Sequence, residues 1–146
     1  MTERTVIQSI TQRHLISLAP VATIYKAACV MTQANCGSVL VIDSNGELVG
    51  ILTERDLMTR VLAKNVDPQK TLVQDIMTRG PYCVPPETKV TDAVLIMIER
   101  GFRHLPIVSA DRKIRGVFSV RDALPREINS AASLAEFHEQ VNDALG

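Results

Sequence analysis

Two copies of one small α+β unit (α/β-type), each a small β-sheet with two packed helices, form the fold that this sequence predicts. Three observations carry the prediction. The chain overlies itself without a gap when shifted by 66 positions, as Gly50 and Gly116 show. Each copy reads in the order helix, strand, strand, helix. The length of 146 residues, 46% of them hydrophobic and 22% charged, suits one ordinary soluble domain or two very small ones and leaves no room for separate cofactor and substrate domains.

The self-match is dense. Gln8 falls on Gln74, Ile10 on Ile76, Arg13 on Arg79, Pro20 on Pro86, Ala27 on Ala93, Met31 on Met97, Arg55 on Arg121 and Asp56 on Asp122. A period this long exceeds a solenoid unit and reads as a tandem duplication. Ile24, Ala27, Ala28 and Met31 give the first copy a helix with a narrow apolar face, and Val90, Ala93, Val94 and Met97 repeat that spacing. Val39–Ile42 and Leu48–Leu52 are short β-branched runs around Asn45-Gly46, a strong hairpin signal. In the second copy Leu105–Val108 and Ile114–Phe118 flank a polar turn without glycine, and Pro106 belongs at a strand start or edge. Leu57, Met58, Val61 and Leu62 then recur at helical spacing after Thr53–Asp56. Pro125 is expected to interrupt the equivalent second helix, with a restart at the Ser133–Glu136 capping box and an amphipathic run through Leu134, Phe137, His138, Val141 and Leu145. The organisation expected is repeat 1 over 6–64, a linker over 65–71, repeat 2 over 72–126 and a C-terminal amphipathic helix over 127–146.

Several function classes are disfavoured by composition. Sixteen Lys and Arg balance sixteen Asp and Glu, so the basic footprint of a nucleic-acid or anionic-membrane binder is missing, and two Tyr, three Phe and no Trp leave few stacking platforms for bases. Cys29, Cys36 and Cys83 form no Cys-x-x-Cys pair, and His14, His104 and His138 are scattered, so no metal site and no disulfide framework is read. Phosphate-cradling and nucleophile-elbow motifs are missing, and no catalytic acid/base pair is visible. A polar N-terminus and the lack of any long apolar run lead to the expectation of a cytoplasmic protein without a membrane span.

One polar constellation recurs intact: Gly50-Ile51-Leu52-Thr53-Glu54-Arg55-Asp56 and Gly116-Val117-Phe118-Ser119-Val120-Arg121-Asp122. As a capping box its hydroxyl and carboxylate satisfy free N–H groups where a strand runs into a helix. As a ligand site the same junction offers N–H donors and a hydroxyl to a phosphate, a carboxylate to ribose hydroxyls, and a glycine permitting close approach. Spacing does not choose between cap and ligand site, and both can hold together.

Those two signatures, together with the Asp75-Ile76-Met77-Thr78 opening and the Gly37–Asp43 and Arg103–Val108 strands, resemble the cystathionine β-synthase (CBS) domain family in both copies. The resemblance implies a Bateman module, two repeats about a pseudo-two-fold axis with two clefts between them for adenosyl ligands such as AMP, ADP, ATP, S-adenosylmethionine or NAD. It also implies pairing into a homodimer. Carried onto this chain, the preferred cleft uses Ser119, Arg121 and Asp122, with Thr11, Ile16, Cys36, Gly37 and Ser38 around the base. The second uses Thr53, Arg55 and Asp56 with Met77, Tyr82, Phe102, Arg103 and His104. Small Gly37 and Ser38 leave room for an adenine where Phe102 and Arg103 are bulky; Arg103 and His104 are read either as phosphate contacts or as solvated residues at a strand start. The expected function is that of a stand-alone, energy-sensing regulatory module, not an enzyme and needing no cofactor, that signals to an unknown effector protein. The alternative is a dimerisation or interaction module that binds no ligand.

Overall fold

The computed structural model describes residues 3–10 and 15–145. In chain order its helices are α1 (Val6–Ser9), α2 (Ile24–Ala34), α3 (Glu54–Asp56, continuing as a π-helix over Leu57–Leu62), α4 (Val73–Ile76), α5 (Val90–Arg100) and α6 (Pro125–Leu145). The strands are β1 (Ser17–Leu18), β2 (Ser38–Ile42), β3 (Leu48–Thr53), β4 (Thr78–Arg79), β5 (His104–Val108) and β6 (Ile114–Ser119). A short 3-10 turn covers Val120–Asp122. The chain divides into two compact units, one of Leu15–Pro81 and one joining the residues before position 15 to those after 81.

In the Leu15–Pro81 unit the sheet order is β1-β2-β3-β4, with β1 parallel to β2 and the other pairs antiparallel. The Asn45-Gly46 signal produces the β2–β3 hairpin: Gly46 takes a φ of 80°, and the Asp43 carboxylate accepts from the Asn45 and Glu47 amides at 2.9 and 3.0 Å. Thr23 caps α2 by accepting from the Lys26 amide at 3.1 Å, and Asn35 ends the helix in the left-handed region at φ 52°. Ile24, Ala27 and Met31, the apolar stripe of α2, pack with Val39, Val41, Leu52, Val61, Val73, Ile76 and Met77.

The other unit is built on the antiparallel β5–β6 pair, to which Val84 adds a parallel bridge at Ile107. Its hairpin turn lacks glycine, and Arg112 carries the positive φ of 66° at the position matching Gly46. Pro106 sits inside β5, where its carbonyl accepts from the Val84 amide at 2.9 Å. Val90, Ala93, Val94 and Met97 of α5 pack with Leu105, Ile107 and Phe118, and Val6, Ile10 and Ala131 complete the core.

Packing units and sequence repeats are therefore not coextensive. The segment that opens repeat 2, α4, is built into the core with α2, β2 and β3, while α1, which opens repeat 1, joins α5, β5 and β6. Backbone bonds fix each insertion: Val73 donates to Ala22 at 2.8 Å, and Val6 donates to Thr88 at 2.7 Å. Both signature glycines are explained by this packing. A methyl group at Gly50 would collide with the Met77 sulfur and lie 3.0 Å from the Thr78 carbonyl; one at Gly116 would lie 2.6 Å from Ile10 Cδ1. At both glycines the close approach is made by a protein segment. A correction concerns the C-terminal helix. Pro125 opens α6 as its first residue, where its missing N–H costs nothing, and the helix runs through Ser133 without restarting.

Candidate functional site

The two copies of the Thr/Ser-x-x-Asp motif follow β3 and β6 directly. At the first, Asp56 is buried; its Oδ2 accepts from the Thr53 amide at 3.0 Å, and Thr53 Oγ1 accepts from the Asp56 amide at 3.2 Å. Its other oxygen, Oδ1, lies 3.6 Å from Arg60 Nε, and the Arg60 guanidinium also donates to the Ile76 carbonyl at 2.9 Å. At the second, Asp122 Oδ2 accepts from the Ser119 amide at 2.9 Å and lies 3.5 Å from the Ser119 hydroxyl. Asp122 is half-buried, and its Oδ1 accepts no hydrogen bond from any described residue. Both aspartates are caps, as one reading of the motif holds. They differ in what remains: Asp56 has spent its second oxygen on an arginine, and Asp122 has not.

The other expected residues fall as follows. Within the Leu15–Pro81 unit, Ser38 pairs with Thr53 across the β2–β3 ladder, and the Gly37 carbonyl accepts from the Glu54 amide at 2.9 Å, so both sit beside the first turn. Cys36 donates its amide to Met31 at 3.0 Å, Ile16 packs on the core while its carbonyl accepts from Leu40 at 3.0 Å, and Arg55 is exposed. Met77 is a core residue against Gly50. In the other unit His104 pairs with Ser119 across β5–β6, Arg103 and Arg121 are exposed, and the Tyr82 and Phe102 rings lie 6.3 Å apart. The Arg100 guanidinium lies 4.6 Å over the Tyr82 ring. Thr11 lies outside the described residues. Each expected set is thus divided between the units, while Ser119, Arg121 and Asp122 stand together in one.

An ion pair at the second turn is absent from the sequence-derived candidates. Arg4 Nη2 donates to Glu127 Oε1 at 2.7 Å and to the Asp122 carbonyl at 3.0 Å, and Arg4 Nε donates to Glu127 Oε2 at 3.2 Å. The same Glu127 Oε1 accepts from the Leu124 amide at 2.7 Å. Glu127 is therefore the third residue of α6 reaching back to cap its start, the acidic half of a capping box. The Arg4 hydrogen bond holds the Glu127 carboxyl below the usual carboxylate range, and Glu127 raises Arg4 in turn. Burial pushes the Cys83 thiol up, away from nucleophilic thiolate character. Among the described residues no group of His, Cys, Asp and Glu could hold a metal ion, and no helix is long and apolar enough to cross a membrane.

A duplicated helix–strand–strand–helix unit whose second strand ends in a Thr/Ser-x-x-Asp cap defines the class. The chain belongs to the CBS domain family, whose model matches it twice, at residues 7–63 and 73–127. An uncharacterized 17.7 kDa protein of Acidianus ambivalens is 39% identical over 118 residues, covering 81% of this chain and 70% of that one. A protein of Methanopyrus kandleri is 30% identical, covering 93% and 69%. Among solved structures, a Thermoplasma acidophilum CBS domain protein superposes with a TM-score of 0.80 at 19% identity, covering 92% of this chain and 77% of that one. A Pyrobaculum aerophilum CBS domain protein complexed with AMP gives 0.79 at 22% identity, covering 89% and 99%.

Proposed function

We propose that this chain is a regulatory module of the cytoplasm that binds an AMP- or ATP-type adenosyl ligand, performs no chemistry on it and signals to an effector protein. Ser119, Arg121 and Asp122 take the ribose and phosphate end of the ligand, and Ile16, Cys36, Gly37 and Ser38, with Thr11, take the base. Homodimer formation belongs to the same proposal. The observation that carries the reading is the contrast between the two caps: among the described residues the second oxygen of Asp56 has a cationic partner in Arg60 at 3.6 Å, and that of Asp122 has neither a donor nor a cation. An ionised carboxylate oxygen is a strong acceptor, suited to ribose hydroxyls. The AMP complex of the P. aerophilum protein supports the ligand class. Switching requires that the ligand bind two states unequally.

Calorimetric titration of the chain with AMP, ATP, NAD and S-adenosylmethionine tests this reading. Saturable heat with at least one of them is expected. Silence for all four, with the fold intact, would leave an interaction module that binds no ligand.

A further inference from the structure

Resting on the nucleotide reading above, we infer that Arg4 is a positioning residue for that ligand, tying the Asp122 turn to α6 so that occupation of the turn is transmitted to this helix. The two copies of the motif differ at this point. After Asp56 the chain continues as helix without a break, so a displacement of that turn passes directly along the backbone. After Asp122 the 3-10 turn stops, and Ala123 and Leu124 separate it from Pro125 at the start of α6. Across that gap lies Arg4. One guanidinium nitrogen donates both to the Asp122 carbonyl and to the first-turn carboxylate of α6, which itself holds the Leu124 amide.

The tie is specific to the second copy. The positions that match Arg4 and Glu127 under the repeat are Lys70 and Val61; Lys70 is exposed and Val61 belongs to the core. The arginine and its partner were therefore placed independently of the duplicated pattern. Fixing the Asp122 carbonyl restricts the backbone from which its side chain projects, so Arg4 helps to place the carboxylate that the Ser119 amide holds, without touching the ligand. Glu127 is buried and Arg4 partly so, which shields the pair from the screening that weakens exposed ion pairs. A carboxylate that gains ribose hydroxyls also loses freedom, and the tie delivers that ordering to the first turn of α6.

The test compares the wild-type chain with Arg4→Met, Glu127→Gln and, as a control, Lys89→Met, which removes the exposed Lys89–Glu3 pair to the same N-terminal segment. AMP and ATP are the probes, with two readouts: affinity by calorimetry, and amide hydrogen exchange over residues 126–131 with and without nucleotide. Wild type and Lys89→Met are expected to bind alike and to gain protection over 126–131. Arg4→Met is expected to bind about two- to tenfold more weakly, the factor one net hydrogen bond gives, and to show no nucleotide-dependent gain. Glu127→Gln retains a carbonyl oxygen for the Leu124 amide and serves if Arg4→Met does not fold; it too should lose the gain. Wild-type binding with an unchanged response in these variants, or with no gain over 126–131 in any protein, overturns the tie and leaves the nucleotide reading standing. Failure of the wild type to bind either nucleotide overturns both.

Discussion

Replacing Asp122 by alanine separates a carboxylate that serves only as a cap from one that also receives a ligand. In the structure Oδ2 accepts from the Ser119 amide at 2.9 Å and Oδ1 accepts from no described residue. A ribose hydroxyl donating to Oδ1 makes a charge-assisted bond, for which the net contribution is about 1.5–3 kcal/mol. Asp122→Ala should therefore raise the Kd for AMP or ATP by about 10- to 150-fold. The cap contribution lost with it, about 1 kcal/mol, appears in thermal stability rather than in affinity. Asp56→Ala is the matched control. It removes the same type of cap together with the Arg60 contact, so it should cost stability on a similar scale while changing affinity much less. Calorimetric titration gives the affinities and thermal unfolding the stabilities. Equal affinity losses at the two positions would refute the argument from the open oxygen, and a loss of stability without loss of affinity at Asp122 would reduce that residue to a cap.

Acid should weaken the Arg4–Glu127 pair. Arg4 holds the Glu127 carboxyl below its ordinary value, so the stabilisation is present above the ordinary carboxylate range and is lost as pH falls through the lowered value; unfolding free energies of wild type and Arg4→Met from urea titration should converge on acidification, from a gap of about 1–2 kcal/mol near neutrality. A gap that is constant or widens toward low pH contradicts this. Gly116→Ala should destabilise by about 1–3 kcal/mol because its methyl group meets Ile10, and Ile10→Val in the same chain should recover part of the loss in a denaturant titration. Arg112→Gly should leave stability unchanged or raise it by up to about 1 kcal/mol, since Arg112 holds a left-handed φ that glycine adopts without strain; a marked fall would show that its side chain contributes more than the turn does.

Local patterns were legible in the sequence, and long-range partnerships were not. The 66-residue shift places α5 exactly one period after α2, and β5 and β6 one period after β2 and β3, because the same apolar spacing was duplicated with them. Asn45-Gly46 marked its hairpin through backbone chemistry that acts within four residues. Self-similarity does not show which copy each opening segment packs into, since Val6 and Val73 fit either core by composition, so it does not show that Ile10 and Met77 lie against the two glycines. The repeat spacing aligns Pro125 with the interior of α3 and so predicts a break, whereas the chain has already ended one helical turn and begins another helix there. The cap at Asp122 was visible as a motif. The difference between it and Asp56 was not, because it depends on Arg60 in one case and on Arg4, 118 positions away, in the other.

An adenosyl ligand received at the Asp122 turn changes the surroundings of that turn's amides. Titrating the isotope-labelled chain with AMP and then ATP, while following the amides of Ser119, Arg121 and Asp122 beside those of Thr53, Arg55 and Asp56, tests it most directly. Saturable shifts concentrated at Ser119, Arg121 and Asp122 are expected. Shifts confined to Thr53, Arg55 and Asp56, or no saturable shift at either turn with either nucleotide, would contradict it.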